Sequence, residues 1–141
     1  EMGPLSAFIK TIDFVKKNKV IDMNWKTGFE LSSSINRISK QYGLIKNFVI
    51  HGPACSPVFS CFNNNHKNDL FLRTLFIQEM IKNGVLMPWI SIAYRHKNKK
   101  IISKTLEAVD KSLYIYKKAL KYGVKRYLIG PPIKPVFRKY N

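Results

Sequence analysis

Eight carboxylates, three histidines, two cysteines and twenty lysines are the groups in this 141-residue chain that could move a proton, form a covalent adduct or hold a metal. His51 closes an extended run before Gly52-Pro53, at a strand end where catalytic side chains often lie, but no carboxylate is paired with it in the sequence. A lone histidine there reads as structural or solvated. His66 stands among asparagines with no second ligand at an H-x-x-x-H spacing, and Cys55 and Cys61 lack the C-x-x-C spacing, so no metal is expected. The chain carries no G-x-S-x-G, no P-loop and no G-x-G-x-x-G. A lysine that forms a Schiff base must lose its proton through burial or a cationic neighbour. The lysines here fall on polar faces or in loops. No catalytic and no cofactor-binding residue is therefore expected within the chain.

The net charge of +17 raises nucleic acid as a partner, because clustered basic groups gain affinity by releasing counterions from phosphates. The composition argues against it. Twenty of the 25 basic residues are Lys and five are Arg, whereas base-edge and bidentate phosphate contacts favour Arg. Sixteen Ile and eleven Asn accompany them, so the Lys excess fits a bias of the whole chain toward Lys, Ile and Asn, and a solvated surface. The densest run, His96-Lys97-Asn98-Lys99-Lys100, stands where an extended segment gives way to a helix. Positive charge there opposes the helix dipole, so the run could hold a phosphate, although a solvated turn fits it better. A stand-alone basic module that binds nucleic acid is kept as the alternative reading.

The elements follow from the apolar spacing. Leu5, Phe8, Ile9, Ile12 and Val15 make one face of a helix over residues 4–17. A second helix is expected from an N-cap at Asp22 to Tyr42, with Trp25, Phe29, Ser32, Ile35 and Ile38 on one side and Gly43 as its stop. Residues 46–51 and 56–62 read as two strands with a short connection, hence an antiparallel pair. Residues 69–83 form a helix apolar on nearly every side, ended by Gly84. In the bent segment 85–94, Ile90, Ile92 and Tyr94 alternate with Ser91 and Ala93 and read as a further strand. Ile102, Leu106, Val109, Leu113, Tyr116 and Leu120 step by four and three and define the last helix, stopped by Gly123. The tail 124–141 is expected to lie along a surface, anchored by Tyr127, Leu128 and Phe137. The order implies an α+β fold, a small antiparallel three- to four-stranded sheet with helices on one face. The apolar run 85–94 is shorter than a membrane span requires, and the front of the chain has no signal-peptide pattern. A cytoplasmic protein without a membrane partner is expected.

The segments Phe71-Leu72-Arg73-Thr74-Leu75-Phe76-Ile77-Gln78-Glu79-Met80-Ile81-Lys82-Asn83-Gly84-Val85-Leu86-Met87-Pro88-Trp89 and Gly130-Pro131-Pro132-Ile133-Lys134-Pro135-Val136-Phe137-Arg138-Lys139-Tyr140-Asn141 resemble the C-terminal part of class III pyridoxal-phosphate-dependent aminotransferases, in the glutamate-1-semialdehyde 2,1-aminomutase-like branch. The opening Glu1-Met2-Gly3-Pro4-Leu5-Ser6-Ala7-Phe8-Ile9-Lys10-Thr11-Ile12 is similar to the helix that follows a Thr-His-Gly-Ala-Glu type loop in that family. The resemblance implies the C-terminal small domain of a fold-type I enzyme: a remnant interdomain helix over 1–20, the small domain over 21–123 and a surface tail over 124–141. It also implies that the Schiff-base lysine and the other main ligands of pyridoxal 5'-phosphate lie upstream, on a large N-terminal domain missing from this chain. The partners implied are that domain, a second subunit of a homodimer, an amino donor and a carbonyl acceptor. By position, Met87, Trp89 and Ser91 would border the substrate. The haem-pathway aminomutases carry an acidic residue near this corner and this sequence has none, which favours transamination of a carbonyl or keto-sugar-type compound over the mutase reaction. Ordinary core packing is the competing account of Met87 and Trp89. The chain alone is expected to be inactive, and its first helix to expose Leu5, Phe8, Ile9 and Ile12.

Overall fold

The computed structural model describes residues 2–134. Four helices and two strands follow in the order α1 (Met2–Lys17), α2 (Val20–Gln41), β1 (Phe48–His51), β2 (Val58–Cys61), α3 (Leu70–Lys82) and α4 (Lys99–Tyr122), with 3-10 turns at Tyr94–Lys97 and Val124–Arg126. The strands pair antiparallel, Phe48 opposite Cys61 and Ile50 opposite Phe59, and these four side chains are buried. His51 and Val58 lie on the other, open face. The helices pack on the buried face, as the alternation predicts.

The sheet has two strands among the described residues, not the expected three or four. Three side chains and one backbone N–H take up outward-facing groups that a third strand would need. On the outer edge of β1, Asn36 donates through Nδ2 to Ile50 O (2.9 Å) and accepts the Ile50 N–H at Oδ1 (2.8 Å). Ser39 donates to Phe48 O at 2.7 Å. On the outer edge of β2, Arg73 Nη1 donates to Phe59 O at 3.0 Å and the Asp69 N–H to Cys61 O at 3.0 Å. Buried backbone polar groups must be paired, and here helix residues pair them. Ile90 and Ile92 are buried and Ser91 and Ala93 exposed, so the alternation read in residues 90–94 is present without a ladder.

Helix α2 departs from its expected start and from part of its expected face: Ile35 is buried and Ile38 packs on the core, but Trp25 and Phe29 do not. It begins at Val20, two residues before Asp22, after Lys19 in a left-handed conformation (φ 47°) with no side-chain cap. Asp22 falls in the first turn, where a carboxylate meets the positive end of the helix dipole. The buried stripe is Thr27, Gly28, Leu31, Ile35 and Ser39, while Trp25 and Phe29 are exposed. The small residues decide this. A Cβ on Gly28 would overlap the Ala54 carbonyl oxygen, so α2 turns its smallest side toward the 53–56 turn and its largest outward.

The other elements match the pattern. Asp69 Oδ1 caps α3 by accepting the Leu72 N–H at 3.0 Å. Gly84 (φ 75°) ends that helix, with Val85 N donating to Met80 O and Gly84 N to Ile81 O, both at 2.9 Å. Val109, Leu113 and Tyr116 of α4 are fully buried, and Ile102, Leu106 and Leu120 pack at the core's margin. At the centre the Phe48 and Phe76 rings stand 4.6 Å apart, with Phe59 5.2 Å from Phe76 and Tyr116 5.9 Å from Phe48. Tyr116 donates its hydroxyl to Asn47 O at 2.8 Å. The tail is anchored through Tyr127 and Leu128, whose side chains pack on the core, and through Gln78 and Thr74 of α3, which bond Tyr127 O, Ile129 N and Ile133 N. The third expected anchor, Phe137, lies outside the described residues.

Helix α1 buries no residue, and Leu5, Phe8, Ile9 and Ile12 are exposed, as expected from the sequence. Its C-terminal end is tied down by Phe14 edge-on to Tyr94 at 5.2 Å and by the Tyr94 hydroxyl bonding Asn18 Oδ1 at 3.2 Å.

Candidate functional site

Past Gly84 the chain turns through Met87-Pro88-Trp89 and runs extended to Ala93, and this corner forms one wall of a cavity of about 410 Å³. Leu31 of α2 and Ile102 and Thr105 of α4 line it as well. All three residues expected at the substrate, Met87, Trp89 and Ser91, line it. Core packing accounts for Met87, which is 6% exposed, but not for Trp89, which is 70% exposed. Arg73 holds the corner in place. Its guanidinium sits 4.2 Å from the centroid of the Phe59 ring, and its second nitrogen donates to Pro88 O at 3.2 Å, so one fork ties β2 to the turn.

His96 also lines this cavity. Its Nδ1 accepts the Ala93 N–H at 2.9 Å. The neutral ring must then carry its proton on Nε2, which makes Nε2 a donor. Thr105 spends its hydroxyl proton on Ile101 O at 2.9 Å and keeps lone pairs to accept. Apart from Ser91 the rest of the lining is apolar, with no charged side chain.

A second cavity of about 610 Å³ adjoins the first and shares His96 and Ile102 with it. Lys26, Glu30, Lys97 and Lys99 line it, so part of the basic run read in the sequence as a solvated turn faces a concavity. Lys97 is engaged with Tyr94, its Nζ 2.6 Å from the hydroxyl and 3.8 Å from the ring centroid. The ion pairs among the described residues are Lys82 with Glu79 and Lys111 with Glu107, which leaves Lys26 and Lys99 without a carboxylate partner.

The remaining candidates do not converge. His51 is exposed and its Nε2 meets Ser60 Oγ at 2.8 Å, remote from any carboxylate partner among the hydrogen bonds of the described residues. Cys61 is buried and burial pushes its thiol up to about 12, which makes it inert as a nucleophile. No cluster of three metal-ligating side chains occurs among the described residues. Neither cavity brings a lysine against an aspartate, so these residues do not by themselves fit pyridoxal phosphate. Sequence reasoning missed Arg73 and His96 as determinants of the site. Arg73, a charge set among Leu70, Phe71, Leu72, Leu75 and Phe76, carried a signal; the His96 tautomer depends on a bond the sequence does not show.

Among known proteins no family model matches the chain, and no curated protein is matched. One solved structure is similar in fold, that of the PLP internal aldimine form of the Sphingopyxis sp. MTA144 FumI protein, at a TM-score of 0.71 and 20% identity. The match covers 84% of this chain and 28% of that one, so the chain spans little more than a quarter of the protein it is similar to.

Proposed function

We propose that this chain is the C-terminal small domain of a class III pyridoxal-phosphate-dependent aminotransferase, acting in the cytoplasm as part of a longer, dimeric enzyme. The observation that carries the reading is the fold correspondence over 84% of the chain with a segment of a protein that holds the cofactor as an internal aldimine. The corner at Met87-Pro88-Trp89, with a cavity behind it, supports it. In such an enzyme the cofactor supplies the electron sink, and the protein supplies binding and orientation. This domain contributes walls. Met87, Trp89 and Ser91 shape the substrate's surroundings, Arg73 fixes the corner that bears them, and His96 offers a hydrogen-bond donor. The cofactor's own ligands belong to the large domain, which would also cover the apolar face of α1.

An antibody raised against residues 21–123 tests this in cell extract. The expected product is a polypeptide several times longer than 141 residues that contains pyridoxal phosphate; a product of the chain's own mass as the sole species would overturn it. Purified alone and mixed with the cofactor, the chain should show no saturable absorbance near ~410 nm, since among the described residues no lysine is buried. The nucleic-acid reading would gain instead from filter retention of DNA or RNA that falls steeply with salt.

A further inference from the structure

We infer that the two adjoining cavities form one bipartite site for an amphipathic carboxylate, with an aliphatic chain in the apolar chamber and the carboxylate in the basic one. The binding is a property of this chain; only the ligand's identity as substrate rests on the aminotransferase reading. Each chamber lies within the size range of ligand pockets, about 300–1,000 Å³, at about 410 and 610 Å³. They meet at His96 and Ile102.

The lining sets the ligand class. A second carboxylate placed in the apolar chamber would meet no counter-charge, which disfavours a dicarboxylate spanning both. Sugar hydroxyls would need more partners than Ser91, His96 and Thr105 supply, and Thr105 has already spent its proton. A hydrocarbon chain needs none. In the second chamber Lys26 and Lys99 lack ion-pair partners among the described residues, Lys97 is held on Tyr94, and Glu30 is the one carboxylate, so the balance favours an anion. His96 stands at the junction with Nε2 fixed as a donor, suited to an oxygen at the head of an apolar chain.

The test uses the full chain with Trp25→Phe, which leaves Trp89, on the cavity wall, as the sole tryptophan. Octanoate added at low ionic strength should shift the Trp89 emission saturably. Octylamine and succinate should bind at least about tenfold more weakly, each lacking one half of the recognition. Lys26→Gln with Lys99→Gln should weaken octanoate about tenfold, a loss in the range of charge-assisted contacts partly screened by salt. Lys117→Gln with Lys121→Gln, elsewhere on the surface, should leave it unchanged. Equal binding of octylamine or succinate, an unaltered titration in the Lys26/Lys99 variant, an equal loss in the Lys117/Lys121 variant, or no saturable shift overturns the inference. A chain that binds octanoate but comes from no longer polypeptide would defeat the aminotransferase reading and leave this one standing.

Discussion

Helices α1 and α3 are of similar apolar content and opposite fate. Helix α3 sets Leu72, Leu75, Phe76 and Met80 into the core between β2 and α4, whereas α1 carries Leu5, Phe8, Ile9 and Ile12 and buries none of them. Composition cannot tell the two apart. Their difference lies in what stands opposite: α3 faces strands and another long helix, and α1 meets the rest of the described chain mainly at Phe14 and Asn18. Apolar area stabilises only where a partner removes it from water.

The sharpest way to break this contrast is a matched pair of truncations. Phe76→Ala should cost about 3–5 kcal/mol in urea unfolding, while Phe8→Ala should change stability by less than about 0.5 kcal/mol and reduce self-association in sedimentation. A large loss from the α1 variant would show that this helix is packed in solution. Next in size, Gly28→Ala should destabilise by about 2–3 kcal/mol, because the added methyl meets a backbone carbonyl that cannot move away cheaply. Unchanged thermal melting would mean that α2 does not approach Ala54 as closely as the geometry requires. Asn36→Ala should cost about 1–3 kcal/mol by stranding both the N–H and the C=O of Ile50.

The smallest effect sharpens the buried side through pH. Burial pushes the Cys61 thiol up to about 12, well above its value in an unfolded chain. The folded state thus holds its proton where the unfolded chain releases it. That contribution is fully present below pH 9 and is lost as pH rises from about 9 to 12. Tyr116, also raised by burial, adds to the same alkaline limb. Cys61→Val should flatten part of this limb in a melting series taken from pH 8 upward, and an unchanged slope would mean that the thiol is solvated.

Helix positions were legible in the sequence because four-and-three spacing needs no knowledge of the partner: Ile102, Val109, Leu113 and Tyr116 place α4 unaided. On α2 the spacing places Ile35 and Ile38 correctly but not Trp25 and Phe29, because the helix turns Gly28 toward the Ala54 carbonyl, a close approach that apolar spacing does not record. The third strand was expected from alternation, which does not record whether neighbouring backbone groups are already bonded. Met87, Trp89 and Ser91 line one cavity, but the basic chamber beside it depends on α2 meeting the start of α4, a contact that spacing along the chain does not encode.

The fork of Asn36 against β1 and of Arg73 against β2 has an outcome for life at high concentration. A two-stranded ribbon normally offers docking rails on both flanks to any passing extended peptide, the usual seed of fibrillar growth. Here Asn36 and Ser39 occupy the β1 rail, and Arg73 and the Asp69 N–H occupy the outward carbonyls of the β2 rail, so crowding should drive these molecules into amorphous clumps through their greasy leading helix rather than into cross-β fibres.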